Sequence, residues 1–188
     1  LMGMFSALQG ISIQNAYGSG GVAVYASNPY IDLQNLVIYN CQTGIKVSGS
    51  GNFVTCNEIS ILSFAPNIVL NGFSCYNGAT ANILNSSVTS SSGPSNAYNG
   101  YYCEGVGSRM DVFSCKSNGM SYGCKADNGA KIVVSGSILQ DGTYGLYIDN
   151  NGTGTKIIAV GVDMVNNSAI DVWISNGVNG LVSFNGKY

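Results

Sequence analysis

Histidine is absent from this chain, and charged residues of both signs are scarce. Asp, Glu, Lys and Arg make up 9% of the 188 residues, against roughly 25% in ordinary soluble domains. Seven basic residues and a net charge of −2 give no basic stripe for nucleic-acid phosphates. No apolar run approaches the roughly 18 residues of a membrane span, and no signal peptide is visible. The composition therefore predicts neither a nucleic-acid-binding nor a membrane-spanning protein.

The chain does have a four-residue phrase that recurs along its whole length. A small residue is followed by an apolar residue, any residue and a second apolar residue. The phrase begins at Gly21, Gly44, Asn67, Gly100, Gly123, Gly145 and Ala169. Five of the six steps between these starts are 22 to 24 residues long, and one is 33. A near-constant period of this length indicates a repeat architecture.

Residues 123–144 show how one repeat is expected to fold. Residues 124–127 alternate between apolar and charged, which is typical of a strand with one buried face. Residues 131–134 and 137–139 give two further strands, with turn signals at Asn128-Gly129, Ser135-Gly136 and Asp141-Gly142. Three short strands in about 23 residues predict an all-β, single-stranded, right-handed parallel β-helix whose turns stack about 4.8 Å apart. We expect seven to eight such turns in one domain over residues 1–188.

Two segments depart from the regular repeat. Residues 1–20 are expected to form a partial first turn. Residues 85–99 are expected to protrude as a loop, because Ser, Gly and Pro favour turns and loops. The chain starts at Leu1 without an initiator methionine, so we also expect a mature product or a piece of a longer protein.

The six cysteines lack the spacing of a zinc site, because no CxxC pair and no histidine are present. Cys103 and Cys124 occupy positions of the phrase at which other copies have Val, Leu or Ile. We therefore expect buried free thiols that pack as small apolar side chains. A bridge between Cys103 and Cys124 on neighbouring repeats is the alternative.

The recurring phrase and its period resemble the pectate-lyase-like superfamily of right-handed parallel β-helices. The resemblance covers nearly the whole chain and is architectural. Members include pectate lyases, polygalacturonases, bacterial surface adhesins, and tailspike or fibre proteins of phages and other viruses. The Asn-Thr-Asp, Asp-Asp, Gly-His-Gly and Arg-Ile-Lys segments of polygalacturonases do not occur, and the single arginine, Arg109, is on a different strand from the acidic residues described next. The two best-known chemistries of the superfamily are therefore not supported.

Alignment of the repeats stacks three carboxylates, Glu104, Asp127 and Asp149, at an outward position on consecutive turns. Neighbours would lie about 5 Å apart and the outer two about 10 Å apart. Like charges in register repel, so we expect relief from the nearby Lys125, from a bound Ca²⁺, or from a raised pKa such as a glycosidase's general acid needs. The separation of about 10 Å suits an inverting glycosidase better than a retaining one.

Aromatic residues flank these acids in the same alignment. It places Trp173 in the acid column and Tyr102, Lys125 and Tyr147 in the neighbouring outward column. Tyrosine and tryptophan offer an apolar face and a polar tip, which suits a sugar. The candidate glycan-binding residues are Tyr102, Glu104, Lys125, Asp127, Tyr147, Asp149 and Trp173. The candidate catalytic residues, and equally the candidate Ca²⁺ ligands, are Glu104, Asp127 and Asp149.

Three interpretations of this face stay open: a solvated strand surface without a ligand, a glycan or cation site, and a catalytic site. The neutral Gly/Ser/Asn/Tyr composition is most similar to virion and adhesin members of the superfamily. That resemblance implies a non-enzymatic module of a fibre, tailspike or adhesin at a virion surface or outside the cell. It further implies a homo-oligomer, usually a trimer, that recognises a host or cell-surface glycan without a cofactor other than Ca²⁺. A polysaccharide hydrolase or lyase and a purely mechanical spacer are the alternatives.

Overall fold

The chain folds as an all-β parallel solenoid with three sheets along its sides. The computed structural model describes residues 6–16, 21–63, 69–91, 93–94, 97–149, 153–174 and 181–185. Sheet A contains β1 (Ser6–Gln9), β4 (Ile31–Gln34), β7 (Phe53–Asn57), β10 (Thr80–Leu84), β13 (Arg109–Phe113), β16 (Lys131–Ser135), β19 (Lys156–Val160) and β22 (Leu181–Asn185). Sheet B contains β2 (Ser12–Gln14), β5 (Val37–Tyr39), β8 (Ser60–Ser63), β11 (Ser87–Ser90), β14 (Lys116–Asn118), β17 (Ile138–Gln140) and β20 (Asp163–Val165). Sheet C contains β3 (Val22–Ala26), β6 (Thr43–Ser48), β9 (Val69–Tyr76), β12 (Ala97–Glu104), β15 (Tyr122–Asp127), β18 (Tyr144–Ile148) and β21 (Ile170–Ile174).

Each strand pairs in parallel with the strand three places along the chain, so one strand from each sheet makes one turn. The described chain makes about six turns of roughly 25 residues. The predicted β-helix is confirmed, but the turns are fewer and longer than expected because the connections to sheet C vary in length. The right-handed sense of the coil stays a prediction. Within the described ranges, no helix is long and apolar enough to cross a membrane.

The register of sheet C corrects the alignment of the repeats. Val24 pairs with Ile45, Ile45 with Phe73, and Leu146 with Val172. Three copies of the phrase therefore begin two to five residues later than predicted, at Ala23, Gly72 and Asp171 instead of Gly21, Asn67 and Ala169. Both sets of residues fit the small–apolar–any–apolar pattern, so the pattern alone does not choose between them.

The segment predicted to protrude at residues 85–99 is partly strand. Ser87–Ser90 forms β11 between β8 and β14, and residues 97–99 open β12. Val88 is fully buried. A single buried apolar residue is enough for this strand, even among serines, because neighbouring strands pair with it on both sides. Of this segment, residues 92, 95 and 96 lie outside the described chain, as do residues 1–5 and 17–20 of the predicted first turn.

All six cysteines are buried and free, as predicted. Cys103 does not bridge to Cys124 because the two occupy different positions on their turns: Cys103 pairs with Ala126, and Cys124 with Tyr101. Burial raises the pKa of the Cys124 thiol, which keeps it protonated and unreactive.

Left-handed residues form the corners on either side of sheet B. The predicted turn signals at Gly136 and Asp141 are confirmed by φ angles of 54° at both. The equivalent corners of other turns have the same conformation at Asn35, Asn40, Asn85 and Asn166. Asparagine tolerates this region better than most residues, which explains why the polar residues of the repeat concentrate at its corners.

A column of glycines brings successive turns of sheet C close to each other and to sheet B. A Cβ added at Gly44, Gly72, Gly100, Gly123 or Gly145 would lie 2.6–2.7 Å from the carbonyl oxygen at the equivalent position of the next turn. Real Cβ contacts are not this short, and the opposing atom is backbone. At these five positions the backbone of the next turn therefore leaves no room for a Cβ.

We expect Gly72→Ala to destabilise the fold by about 1–3 kcal/mol, as overpacking does. Its Cβ would meet the carbonyl oxygen of Gly100 and, at 2.6 Å, Cγ1 of Val88. Chemical denaturation followed by circular dichroism measures the change. The matched control is Ala23→Gly at the same position of the first described turn, which should cost less than about 1 kcal/mol. Equal stability of Gly72→Ala and the wild type would contradict the spatial requirement.

Candidate functional site

Two neighbouring columns of side chains run along the outer face of sheet C, one residue from each strand. The column we call the aromatic–lysine column consists of Tyr25, Lys46, Ser74, Tyr102, Lys125, Tyr147 and Trp173. The column two residues further along each strand, the acidic column, contains Ser48, Tyr76, Glu104, Asp127 and, just beyond the last paired residue, Asp149. Residues two apart on a strand point to the same side, so the two columns form one surface.

The three predicted acids do lie on consecutive turns. Glu104 and Asp127 are in register. The backbone N–H of Asp149 donates to the carbonyl of Ala126 at 3.0 Å, which continues the same ladder. The stacking that the sequence predicts is therefore present in the structure.

The outer two acids have partners that offset their charge. The hydroxyl of Tyr102 donates to Glu104 Oε2 at 2.9 Å, and the Asn128 side-chain amide donates to Oε1 at 3.1 Å. Asp149 Oδ2 forms an ion pair with Lys125 Nζ at 2.9 Å. Of the three expected forms of relief, the nearby Lys125 is present at Asp149. The hydrogen bonds to Glu104 are a further form that the sequence did not predict.

Asp127, the middle acid, has the least favourable environment for a negative charge. Its side chain is 7% exposed, and Oδ1 has no hydrogen-bond partner. Burial raises the pKa of Asp127, and the negative charges of Asp149 and Glu104 raise it further. The backbone N–H of Asn128 and the charge of Lys125 lower the pKa in part. The surroundings of Asp127 therefore disfavour its ionised form.

Burial also raises the pKa of Tyr102, and its hydrogen bond to the Glu104 carboxylate adds to this effect. The tyrosine hydroxyl consequently stays protonated and keeps donating to Glu104 over the whole physiological range.

Lys125 is held inside an aromatic cage of three tyrosines. Its Nζ lies 5.7, 5.3 and 5.4 Å from the ring centroids of Tyr102, Tyr122 and Tyr147. These distances are typical of cation–π contacts, and the lysine side chain is 17% exposed. Lys125 therefore links the aromatic rings to Asp149.

The aromatic rings form a continuous cluster over the last turns of sheet C. Tyr122 and Tyr144 stack with centroids 5.5 Å apart and planes 7° apart. Tyr147 packs against both rings at 4.6 and 5.3 Å, and Trp173 lies 6.1 Å from Tyr144. Trp173 is 38% exposed and forms the accessible end of the cluster.

The position of Trp173 corrects the sequence alignment, which placed it in the acidic column. Trp173 pairs with Tyr147 and belongs to the aromatic–lysine column. The two-residue shift that places the start of this copy at Asp171 moves every later residue of the strand by one outward position. Trp173 therefore extends the aromatic surface and does not follow Asp149.

Sequence reasoning missed a second lysine–tyrosine group near the other end of the face. Lys46 Nζ lies 5.7 Å from the Tyr25 ring and 5.2 Å from the Tyr76 ring, and Tyr76 packs edge-on against Tyr102 at 5.6 Å. The same register error hid it, because it placed Tyr25 in the acidic column and left Tyr76 out of both. A repeat alignment anchored on Gly72 would have found this group.

The chemistry of this face is that of a hydrogen-bonding surface beside aromatic rings. Among the described residues, no group of three or more Cys, Asp or Glu side chains is arranged to hold a metal ion. The carboxylates of Glu104 and Asp149 instead accept from side chains of the protein. The Ca²⁺ site expected from the sequence stays a prediction.

We expect Asp127→Asn to raise the melting temperature near pH 7. Folding raises the pKa of Asp127 above its ordinary value of 3.8, so wild-type stability falls as the pH rises through the folded-state pKa. Asparagine carries no charge, so the difference between variant and wild type should shrink near pH 3. Thermal unfolding at both pH values measures the effect.

Asp163→Asn is the control for that experiment, because it removes one negative charge from an exposed position of sheet B. If Asp127→Asn is less stable than the wild type near pH 7, the ionised Asp127 carboxylate stabilises the fold, and the prediction is wrong.

Comparison with family models, curated protein sequences and solved structures gives no match for this chain. The parallel β-solenoid therefore rests on the register of its own strands. The chain is a three-sided solenoid that has one face of stacked aromatic, lysine and acidic side chains.

Proposed function

We propose that this chain is a non-enzymatic β-solenoid module that recognises a glycan with the outer face of sheet C. The observation that carries the proposal is the adjacency of the two columns: an aromatic surface ending in the exposed Trp173 lies beside a ladder of hydrogen-bond acceptors. The stacked backbone holds both at a fixed spacing, so little conformational entropy is lost when a ligand binds.

The side chains of this surface match both parts of a sugar, its apolar ring face and its hydroxyl groups. Tyr147 and Trp173 offer ring faces to the apolar side of a sugar. Asp149 and Glu104 are acceptors for sugar hydroxyls, and Lys125 is a donor. A face with both lysine and acids, on a chain with net charge −2, suits a neutral or weakly charged glycan. The proposed binding residues are Tyr102, Glu104, Lys125, Asp127, Tyr147, Asp149 and Trp173.

The setting we propose is a virion fibre, a tailspike or a surface adhesin, at a virion surface or outside the cell. It rests on the resemblance of the repeat to the pectate-lyase-like superfamily and on the neutral, Gly- and Asn-rich composition. The expected partners are further copies of the chain, in a trimer, and a host or cell-surface glycan. A stiff stack that has scarce surface charge suits a shaft that carries a recognition face.

A polysaccharide depolymerase, either a hydrolase or a lyase, is the second candidate. The observation in its favour is Asp127, whose pKa is raised by burial and by the neighbouring acids. A carboxyl group that keeps its proton to higher pH is what a general acid requires, and a second carboxylate on the neighbouring turn could activate water.

We expect the purified, folded chain to bind at least one glycan on an array, and Trp173→Ala to weaken that binding by about tenfold, equivalent to ~1.4 kcal/mol. The matched control is Phe113→Ala on sheet A, because Phe113 and Trp173 are both 38% exposed. Dissociation constants for the array hit give the comparison. If Trp173→Ala and Phe113→Ala weaken glycan binding equally, or if neither variant weakens it, the glycan binds elsewhere on the chain. No binding by the native oligomer would favour the mechanical spacer.

Cleavage is tested on every glycan that binds, by assaying the release of reducing ends. The module predicts no release of reducing ends from any glycan that the wild type binds. Release by the wild type that Asp127→Asn and Asp149→Asn abolish, at glycan concentrations that saturate each variant, would establish the depolymerase and make the acidic column its site.

A further inference from the structure

A groove of about 580 Å³ lies on the outer face of sheet A, away from the columns of sheet C. Its walls include the rings of Tyr30 and Phe53, and its polar side chains include Asp32, Gln34 and Asn57. This volume is within the range of small-molecule sites. Among the described residues that line the groove there is no Lys or Arg, and Asp32 is the one with a formal charge.

The Asp32 carboxylate is only half satisfied. Oδ2 accepts a hydrogen bond from Gln34 Nε2 at 2.8 Å, while the buried Oδ1 has no partner. Further along the same column, Asp111 shows the satisfied arrangement, with Arg109 Nε donating to both oxygens at 2.8 and 2.9 Å. An unpaired buried carboxylate oxygen is costly, and a cation held in the groove beside Asp32 would offset part of that cost.

The neighbouring unsatisfied group is also an acceptor. Asn82 is in register with Thr55, which lines the groove next to Asp32, and Asn82 Oδ1 is buried without a partner. Asn82 does not line the groove itself, so Asp32 is the groove's acceptor of formal charge, and an anionic acceptor favours a ligand that donates. Ammonium and guanidinium groups have donors and no acceptor, whereas a sugar hydroxyl brings both.

The aromatic wall of the groove includes a residue, Tyr30, with an unfavourable backbone conformation. Tyr30 has φ 60°, and among the described non-glycine residues with positive φ it is the only aromatic one. The left-handed region is sterically unfavourable for such a residue. The strained backbone holds the Tyr30 ring 6.2 Å from the Phe53 ring, with the planes tilted by 45°. Aromatic faces attract cations, so the wall and the carboxylate favour the same ligand charge.

We propose that this groove binds a small organic cation that has a primary ammonium or guanidinium head. The head pairs with the Asp32 carboxylate, and the alkyl part lies against Tyr30 and Phe53. The site is separate from the glycan face of sheet C and does not depend on the function proposed there.

The test is an NMR titration of the labelled full chain with n-butylammonium, n-butylguanidinium and the uncharged n-butanol. We expect both cations to shift the amide signals of Tyr30, Asp32 and Phe53, and butanol to bind at least about tenfold more weakly, since hydrogen bonds to charged groups are the stronger ones. Asp32→Asn should weaken cation binding by about tenfold or more, and the exposed control Asp163→Asn should leave it unchanged.

Tyr30→Asn separates binding from folding. Asparagine tolerates the left-handed backbone, so the variant should keep its unfolding midpoint and yet bind the cations several-fold more weakly. The proposal is overturned if the cations do not shift the amide signals, or if they shift them equally in Asp32→Asn and in the wild type. A neutral disaccharide that shifts the same signals equally in the wild type and in Asp32→Asn would identify a sugar groove and overturn it as well.

Discussion

Backbone hydrogen bonding between successive turns is the constraint on which the rest of this structure depends. Each strand has its partners one turn below and one turn above, so residues at equivalent positions stack at the strand spacing of about 4.8 Å. The glycine column from Gly44 to Gly145 makes this stacking possible in sheet C, because a Cβ there would meet the backbone of the next turn. Every surface column is a consequence of that spacing.

Stacking has opposite consequences for different side chains. Apolar residues and the six thiols stack into a continuous buried core. Aromatic rings such as Tyr122 and Tyr144 gain from it, since stacked rings attract. Stacked carboxylates are destabilised, because their like charges are held in register. The chain offsets this loss with Lys125 and with donors to Glu104, and leaves Asp127 with a raised pKa. Scarce charge elsewhere is what a stacked fold of this kind favours.

The two outer faces that carry chemistry differ in how far their polar groups are satisfied. On sheet C, Lys125 already fills the aromatic cage and pairs with Asp149. On sheet A, the rings of Tyr30 and Phe53 flank the Asp32 carboxylate, which has no cation of the described chain beside it. On sheet C the lysine is therefore already paired within the protein, whereas on sheet A the Asp32 carboxylate is open to pairing with a small cation.

The repeat, the parallel β-solenoid, the buried thiols and the stacking of Glu104, Asp127 and Asp149 could all be predicted from the sequence, because alternation and turn residues are local signals. The register at Ala23, Gly72 and Asp171 could not, and it sets the columns to which Tyr25, Tyr76 and Trp173 belong. The two-residue shifts at Ala23 and Asp171 preserve inside–outside alternation, and Asn67 and Gly72 both begin a segment that fits the pattern, so the pattern cannot detect these shifts. The shift is resolved by the contact between a glycine and the backbone of the next turn, which exists only once the turns are stacked. The groove of sheet A depends on the same contacts between turns.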